Sequence, residues 1–333
     1  MTVTIKDVAR AAGVSVASVS RALNGHDNVT PETRERINEV ARELRYMPHG
    51  AARSLITKRT QTIGAVLPDL YGEFFSELIR GMDVAARRNN LHLLVSSSHG
   101  SASETALALR MLQGRVDGLL VMSPHADADL LADNLPAKLP TVLMNTRVNG
   151  NGYPSLIIDN YAGAYAMVRH LVERGFRRIA LIAGPEQNFD ALERRRGYAS
   201  ALAQLLPGTA EIVLPGDFTE AAGYRAAQAV RSRRDPPDAI FAANDTMALG
   251  CLFALQEAGM RVPHDIAVVG FDDIPIARYV TPALTTVRVR IAELGERAMA
   301  RLVSTIEHPD GAQAHAETLG CDLVVRQSCA RVI

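Results

Sequence analysis

Within the 333-residue chain, the stretch TIKDVARAAGVSVASVSRALN, residues 4–24, carries two opposed faces. Val19, Ala22 and Leu23 fall on one side of a short helical pattern, and Ala17, Ser18 and Arg21 on the other. A small exposed face with one arginine can follow base edges in a major groove. A guanidinium offers two parallel donors to guanine, and an alanine methyl packs on a thymine methyl. Arg21 is therefore the candidate for guanine, with Ala17 and Ser18 against neighbouring base edges. Ser15, Ser20 and Asn24 flank this face and, with Thr4 and Thr33, are candidates for phosphate contacts, which position without specifying. A second set follows short apolar runs further on: Asp69, Asn145, Arg194, Asp217-Phe218, Asn244-Asp245 and Asp272-Asp273, with Phe74 and Phe75 just behind Asp69. Acids and amides take hydroxyls in bidentate fashion while rings cover a C–H face, so this set suits a polyhydroxylated ligand.

The first set needs short helices to hold it. Gly13 suits the left-handed position that ends a helix, and Ser15 suits the N-cap of the next. Thr30-Pro31-Glu32 opens a third helix: a capping hydroxyl, a proline at N1 and an acid at the positive end. Ile37, Val40, Ala41 and Leu44 then recur at helical spacing and close a core with Val8, Ala12, Val14, Val19 and Leu23. So small a core is marginal by itself. Pro48 interrupts. His49–Leu55 has room for two turns, too few for an isolated helix in water, and a plain linker is the alternative there. Thr57–Gln61 reads as connection.

The second set needs strand ends. From Thr62 the pattern becomes apolar strands, Ile63–Leu67, His92–Val95, Gly118–Met122, Thr141–Met144, Ile179–Ala183, Glu211–Leu214, Ala239–Ala242 and Ile266–Val269, with helices between, among them Glu73–Asn90 and Glu104–Gln113. Buried strands alternating with amphipathic helices predict doubly wound parallel sheets, which bind ligands beyond their carboxyl ends.

Charge divides along the chain. The first 60 residues hold ten Lys/Arg against six Asp/Glu, while the whole chain is neutral. A basic head on a mildly acidic body fits a phosphate-binding module joined to something else. Cys251, Cys321 and Cys329 are odd in number and lack metal-ligand spacing, which fits reduced thiols. No apolar run is long enough to span a membrane, and MTVTIKDVAR has no leader-like core, so a soluble, cytoplasmic protein is expected. The chain holds no G-x-G-x-x-G after a strand, no phosphate-loop or G-x-S-x-G motif and no H-E-x-x-H. Neither an enzyme nor a cofactor or metal is expected. A secreted sugar-binding receptor would share the body, but would carry a leader and no DNA-reading head.

TIKDVARAAGVSVASVSRALNG, VTPETRERINEVARELRYMPHGAARSL and the later strand-end motifs together resemble the LacI/GalR family of bacterial transcriptional regulators, over essentially the whole chain. The resemblance implies a helix-turn-helix DNA-binding head over 1–47 and a hinge over 48–61. It also implies an effector-binding and dimerisation core over 62–333. The core would be periplasmic-binding-protein-like, with an N-lobe of about 62–160 and 291–320 and a C-lobe of about 161–290 and 321–333. In the family the hinge folds on DNA and wedges a leucine into the minor groove; the matching residue is Leu55. Such a wedge trades a few kcal/mol of unstacking for contacts that a bend permits. The family's effector pocket maps onto Asp69, Phe75, Arg194, Phe218, Asn244 and Asp272. Arg194 is chosen over Arg195 and Arg196 because the family's arginine lies three residues before a glycine, here Gly197. Asn145 joins the set by its strand-end position. Asp245 and Asp273 read as caps or ion pairs within the body, and Phe74 stays open between core and pocket. The expected partners are near-palindromic double-stranded operator DNA, a second copy of the chain, and a small effector. The effector is expected to be a sugar, with a nucleoside or purine corepressor as the alternative. The C-terminal stretch has no leucine heptads, so a dimer is expected rather than a tetramer.

Overall fold

The structure is a computed structural model that describes residues 3–23, 28–46, 59–124, 128–135, 138–146, 152–308 and 315–330. Asn24, the segment His49–Leu55 and with it Leu55 lie outside the described residues. The chain divides into two compact units, Met1–Thr60 and Gln61–Ile333.

The first unit holds helices α1 (Ile5–Ala12), α2 (Val16–Leu23) and α3 (Pro31–Glu43). Gly13 ends α1 at φ +64°, a conformation that disfavours any side chain beyond Cα. Thr30 caps α3, its hydroxyl accepting from the Thr33 N–H, with Pro31 in the first turn. Val8, Ala12, Val19, Ala22, Ile37 and Ala41 form the buried centre, joined by Ala9 and Val29. Val14, Leu23, Val40 and Leu44 pack around it.

The second unit is two parallel sheets. The N-lobe strands are β1 (Thr62–Leu67), β2 (His92–Ser97), β3 (Gly118–Met122), β4 (Thr141–Met144), β5 (Ser155–Ile158) and β11 (Ala316–Leu319), in the order β11-β5-β4-β3-β1-β2. The C-lobe strands are β6 (Ile179–Ile182), β7 (Ile212–Leu214), β8 (Ala239–Ala242), β9 (Ala267–Asp272), β10 (Thr285–Arg288) and β12 (Asp322–Val324), in the order β12-β10-β9-β8-β6-β7. Only β12 runs antiparallel to its neighbour among these pairings. The chain passes between the lobes after β5, after β10 and after β11.

Both faces of each sheet are covered, which is why the strands read as unbroken apolar runs. In β1, Ile63, Ala65 and Leu67 join the cluster of Leu78 and Met82 on α4 (Glu73–Arg88) and Leu294 and Ala298 on α11 (Ile291–Glu307). Val66 points the other way, to Leu109 and Leu112 on α5 (Ala102–Leu112) and Leu131 on α6 (Ala128–Asn134). Gly81 and Gly295 let α4 and α11 touch backbone to backbone, since a Cβ at either would run into the partner helix. The C-lobe helices are α7 (Asn160–Glu173), α8 (Phe189–Leu205), α9 (Glu220–Arg231) and α10 (Asp245–Glu257). No described helix is long and apolar enough to cross a membrane.

Candidate functional site

On the head, the Ser15 hydroxyl accepts from the Ser18 N–H at 3.1 Å and meets the Ser18 hydroxyl at 2.9 Å. Ser15 is thus the cap that starts α2. Ala17 and Arg21 are exposed, away from the buried Val19, and Ser18 is half-buried one turn before the buried Ala22. Sequence reasoning passed over Val16, which is 41% exposed in the first turn of α2 beside Ala17. An apolar residue left out of so small a core was the available signal. Thr4 is exposed, and its hydroxyl donates to Asp7 Oδ2 at 2.7 Å while the Thr4 N–H reaches the same oxygen at 3.0 Å. Thr33 and Ser20 are half-buried.

On the body, Pro68, Phe74, Phe75, Met122 and Pro124 of the N-lobe face Asn188, Asp190, Arg194, Phe218, Asn244 and Asp272 of the C-lobe across a cavity of about 90 Å³. That is room for about three waters. Phe75, Arg194, Phe218, Asn244 and Asp272 therefore come together from α4, α8, the end of β9 and two loops. Phe74 also lines the cavity, edge-on to Phe75 at 5.3 Å between ring centres.

Arg194 is the hub and is 4% exposed. Its Nε donates to Asn160 Oδ1 at 2.8 Å, its Nη1 to the Ala243 carbonyl at 2.5 Å, and its Nη2 lies 3.1 Å from Asp272 Oδ1. The guanidinium stacks 3.9 Å from the centre of the Phe271 ring and 5.9 Å from that of Phe218. The Asp272 pair is close but poorly aligned, so Oδ1 receives no well-directed hydrogen bond. Asn160 ties in a second acid: its Nδ2 donates to Asp190 Oδ1 at 2.7 Å. Burial raises the carboxyls of both Asp190 and Asp272 to about 6, against the pull of Arg194. Asp190 was missed in the sequence, where an acid in a helix's first turn looks like ordinary dipole matching.

The remaining candidates lie differently. Asp69 is exposed and its Oδ1 accepts from the N–H groups of Leu70 and Tyr71, holding its own loop. Asn145 is buried at φ +44° with Oδ1 on the Ile158 N–H, and its Nδ2 has no well-aligned partner. Neither lines the cavity. Asn244 lines it while also capping α10, its Oδ1 accepting from the Met247 N–H and its Nδ2 donating to the Phe218 carbonyl. Asp245 is wholly buried under Gly270, accepting from Thr286 and from the Ile274 N–H, and burial holds its carboxyl well above the ordinary range. Asp273 pairs with Arg288 and Arg326. Both serve the C-lobe itself.

A larger depression of about 640 Å³ lies elsewhere on the C-lobe, beside the ends of β6 and β7. Its charged lining residues, Glu186 and Arg195, are exposed, so nothing there is pre-set to receive a polar ligand. Burial pushes the thiols of Cys251 and Cys321 up to about 12, so neither is a ready nucleophile. No cluster suited to a metal ion occurs among the described residues.

Residues 4–49 match the family model described as bacterial regulatory proteins, lacI family, and residues 168–329 match a periplasmic binding protein-like domain. The HTH-type transcriptional repressor CytR of Escherichia coli K12 is 34% identical over 330 residues, covering 98% of this chain and 96% of that protein. The lac repressor dimer bound to operator and an anti-inducer superposes with a TM-score of 0.88 at 29% identity, covering 99% of this chain and all of that one. A complex of the transcriptional regulator CelR with cellobiose superposes at 0.72 and 33% identity, covering 98% and 99%.

Proposed function

This chain belongs to the LacI family of bacterial regulatory proteins, and from that premise we propose how its parts act together. It is a DNA-binding transcriptional repressor with an effector-binding core. Two copies grip a near-palindromic operator, because a two-fold dimer is matched by a two-fold site. Ala17, Ser18 and Arg21, with Val16 beside them, meet base edges. Thr4, Ser15, Ser20, Asn24 and Thr33 hold phosphates, and Leu55 wedges the minor groove.

The effector is a sugar held between the lobes by Phe75, Arg194, Phe218, Asn244 and Asp272, with Asp69 and Asn145 drawn in as the lobes move. A cavity of about 90 Å³ is far below the ~300–1,000 Å³ that small-molecule sites usually offer. Admitting a sugar therefore requires the lobes or the Phe74, Phe75 and Phe218 rings to shift. Such a shift is what couples ligand to DNA: the ligand favours one lobe arrangement, and only one arrangement lets both heads engage. The observation that carries this reading is Arg194, buried and aligned by Asn160, Ala243 and Asp272, and set into a cavity walled by aromatic rings. Those rings would equally stack a base, which favours a nucleoside or purine corepressor as the second reading.

The chain acts as a cytoplasmic binding protein and not as an enzyme, a reading supported by the repressor names that similar proteins carry. The test is selection from random duplexes by the full chain. An enriched, inverted-repeat site bound in a salt-sensitive manner supports the reading; no enrichment from a monomeric protein contradicts it.

A further inference from the structure

We propose that the cleft selects an uncharged or amine-bearing ligand and rejects anions such as sugar phosphates and sugar acids, and that Asp190 enforces the choice. This rests on the cleft being the effector site.

An arginine in a pocket usually invites an anion, and here it does not. Arg194 has spent Nε on Asn160 and Nη1 on the Ala243 carbonyl, and Nη2 faces Asp272. Its charge is already matched. Asp190, four residues earlier on α8, lines the same cavity; Arg194 attracts it, but the acid in close contact with that guanidinium is Asp272. The hydrogen bonds of Asp190 in the site come from neutral amides, a well-directed one from Asn160 and a poorly aligned one from Asn145. The charged lining is thus two carboxylates against one guanidinium, a surplus of one negative charge. Asp69, beside the lining residue Pro68, adds a further acid at the same strand end. The side chains of the facing wall, Pro68, Phe74, Phe75, Met122 and Pro124, offer an anion no hydrogen-bond donor in return for its lost hydration. A phosphate or carboxylate would be desolvated beside a like charge, and such repulsion is how sites exclude wrong ligands.

The same groups suit hydrogen-bond donors. Asp190 has capacity left after Asn160, and Asp272 Oδ1 lacks a well-directed bond. Two carboxylates with open lone pairs at one cavity accept hydroxyls or an ammonium group, while the rings cover the carbon face.

The experiment uses the full chain and matched ligand series by calorimetry. The series are glucose with glucosamine, glucuronate and glucose 6-phosphate; cellobiose; ribose with ribose 5-phosphate; and adenosine with its 5′-monophosphate. The expected result is binding by an uncharged or amino member, with its anionic counterpart at least ~10-fold weaker. Asp190→Asn keeps size and the acceptor for Asn160 while removing the charge. It should shrink that gap at least threefold and remove any preference for the amine. A purely structural Asp190 would change all affinities together and leave the ratio alone, which overturns the proposal. So does an anion that binds the unaltered protein as well as its uncharged parent. Binding by no member of any series contradicts the effector reading itself, before Asp190 enters.

Discussion

Glu73 Oε2 accepts a 2.8 Å hydrogen bond from the backbone N–H of Ile276. Glu73 opens α4 of the N-lobe, and Ile276 lies in the 3₁₀ turn Pro275–Arg278 that follows β9 of the C-lobe. Phe74 and Phe75 of the cavity are the next residues along α4. The bond therefore joins the lobes beside this cavity, in the arrangement where the cavity is small.

A bond of this kind is worth roughly 0.5–1.5 kcal/mol net. Glu73→Ala should shift the lobes toward the open arrangement by about that amount, some 2- to 10-fold in the equilibrium. Small-angle scattering of the ligand-free protein should show a larger radius of gyration. Glu73→Gln keeps an acceptor and should recover most of the closed population.

Arg194→Ala should be strongly destabilising to the body. It leaves Asp272 buried without its cation and strips the Ala243 carbonyl and Asn160 Oδ1 of their donors. Removing one partner of a buried pair costs about 3–5 kcal/mol. Urea unfolding should show a lower midpoint with an unchanged slope, and any surviving native protein should not bind the effector.

The pH dependence follows from Asp190, whose carboxyl is raised from 3.8 to about 6 by burial, partly offset by Arg194. Below the unfolded value the acid is protonated in both states and exacts no penalty. As pH climbs from about 4 to 6 the unfolded chain ionises while the folded site keeps its proton, so stability falls. Above 6 both states are charged and the penalty is constant. Asp190→Asn has nothing to titrate there. Its stability relative to the parent protein should therefore rise between pH 4 and 6 and then level off, by on the order of 1–3 kcal/mol. Ligand donors need the carboxylates charged, so effector affinity should weaken as pH drops below 6. Denaturation and calorimetry across pH 4–8 check both.

On the head, Arg21→Ala should relax preference at one base pair of each half-site by roughly 1–3 kcal/mol. Competition among operator variants at fixed salt measures it. Equal weakening on every sequence would make Arg21 a phosphate contact instead.

Local chemistry carried much of this fold into the sequence. Gly13 and Ser15 mark the turn, Thr30-Pro31 the third helix, and β3, β4 and β8 stand over the residues where their apolar runs fall. Strands β5, β10, β11 and β12 are marked less plainly, by at most three successive apolar residues. They are three or four residues long and half of them lie at sheet edges, where burial is partial. Arg194 was singled out by its spacing to Gly197, and Asp272 by following a strand. Asp190, Asn188 and the apolar wall of Met122 and Pro124 could not be, because membership of the cavity depends on how two lobes meet and no local pattern encodes that. Asn244 shows the converse: it both caps a helix and lines the cavity, two roles that sequence position alone cannot separate.

The most direct measurement is operator affinity of the full chain at fixed salt, without ligand and with a saturating amount of whichever ligand binds the cleft. Coupled sites predict a change of about 5- to 150-fold. The same ligand's affinity should change by the same factor when operator is present. An operator affinity that stays constant while the cleft is demonstrably filled would contradict the account.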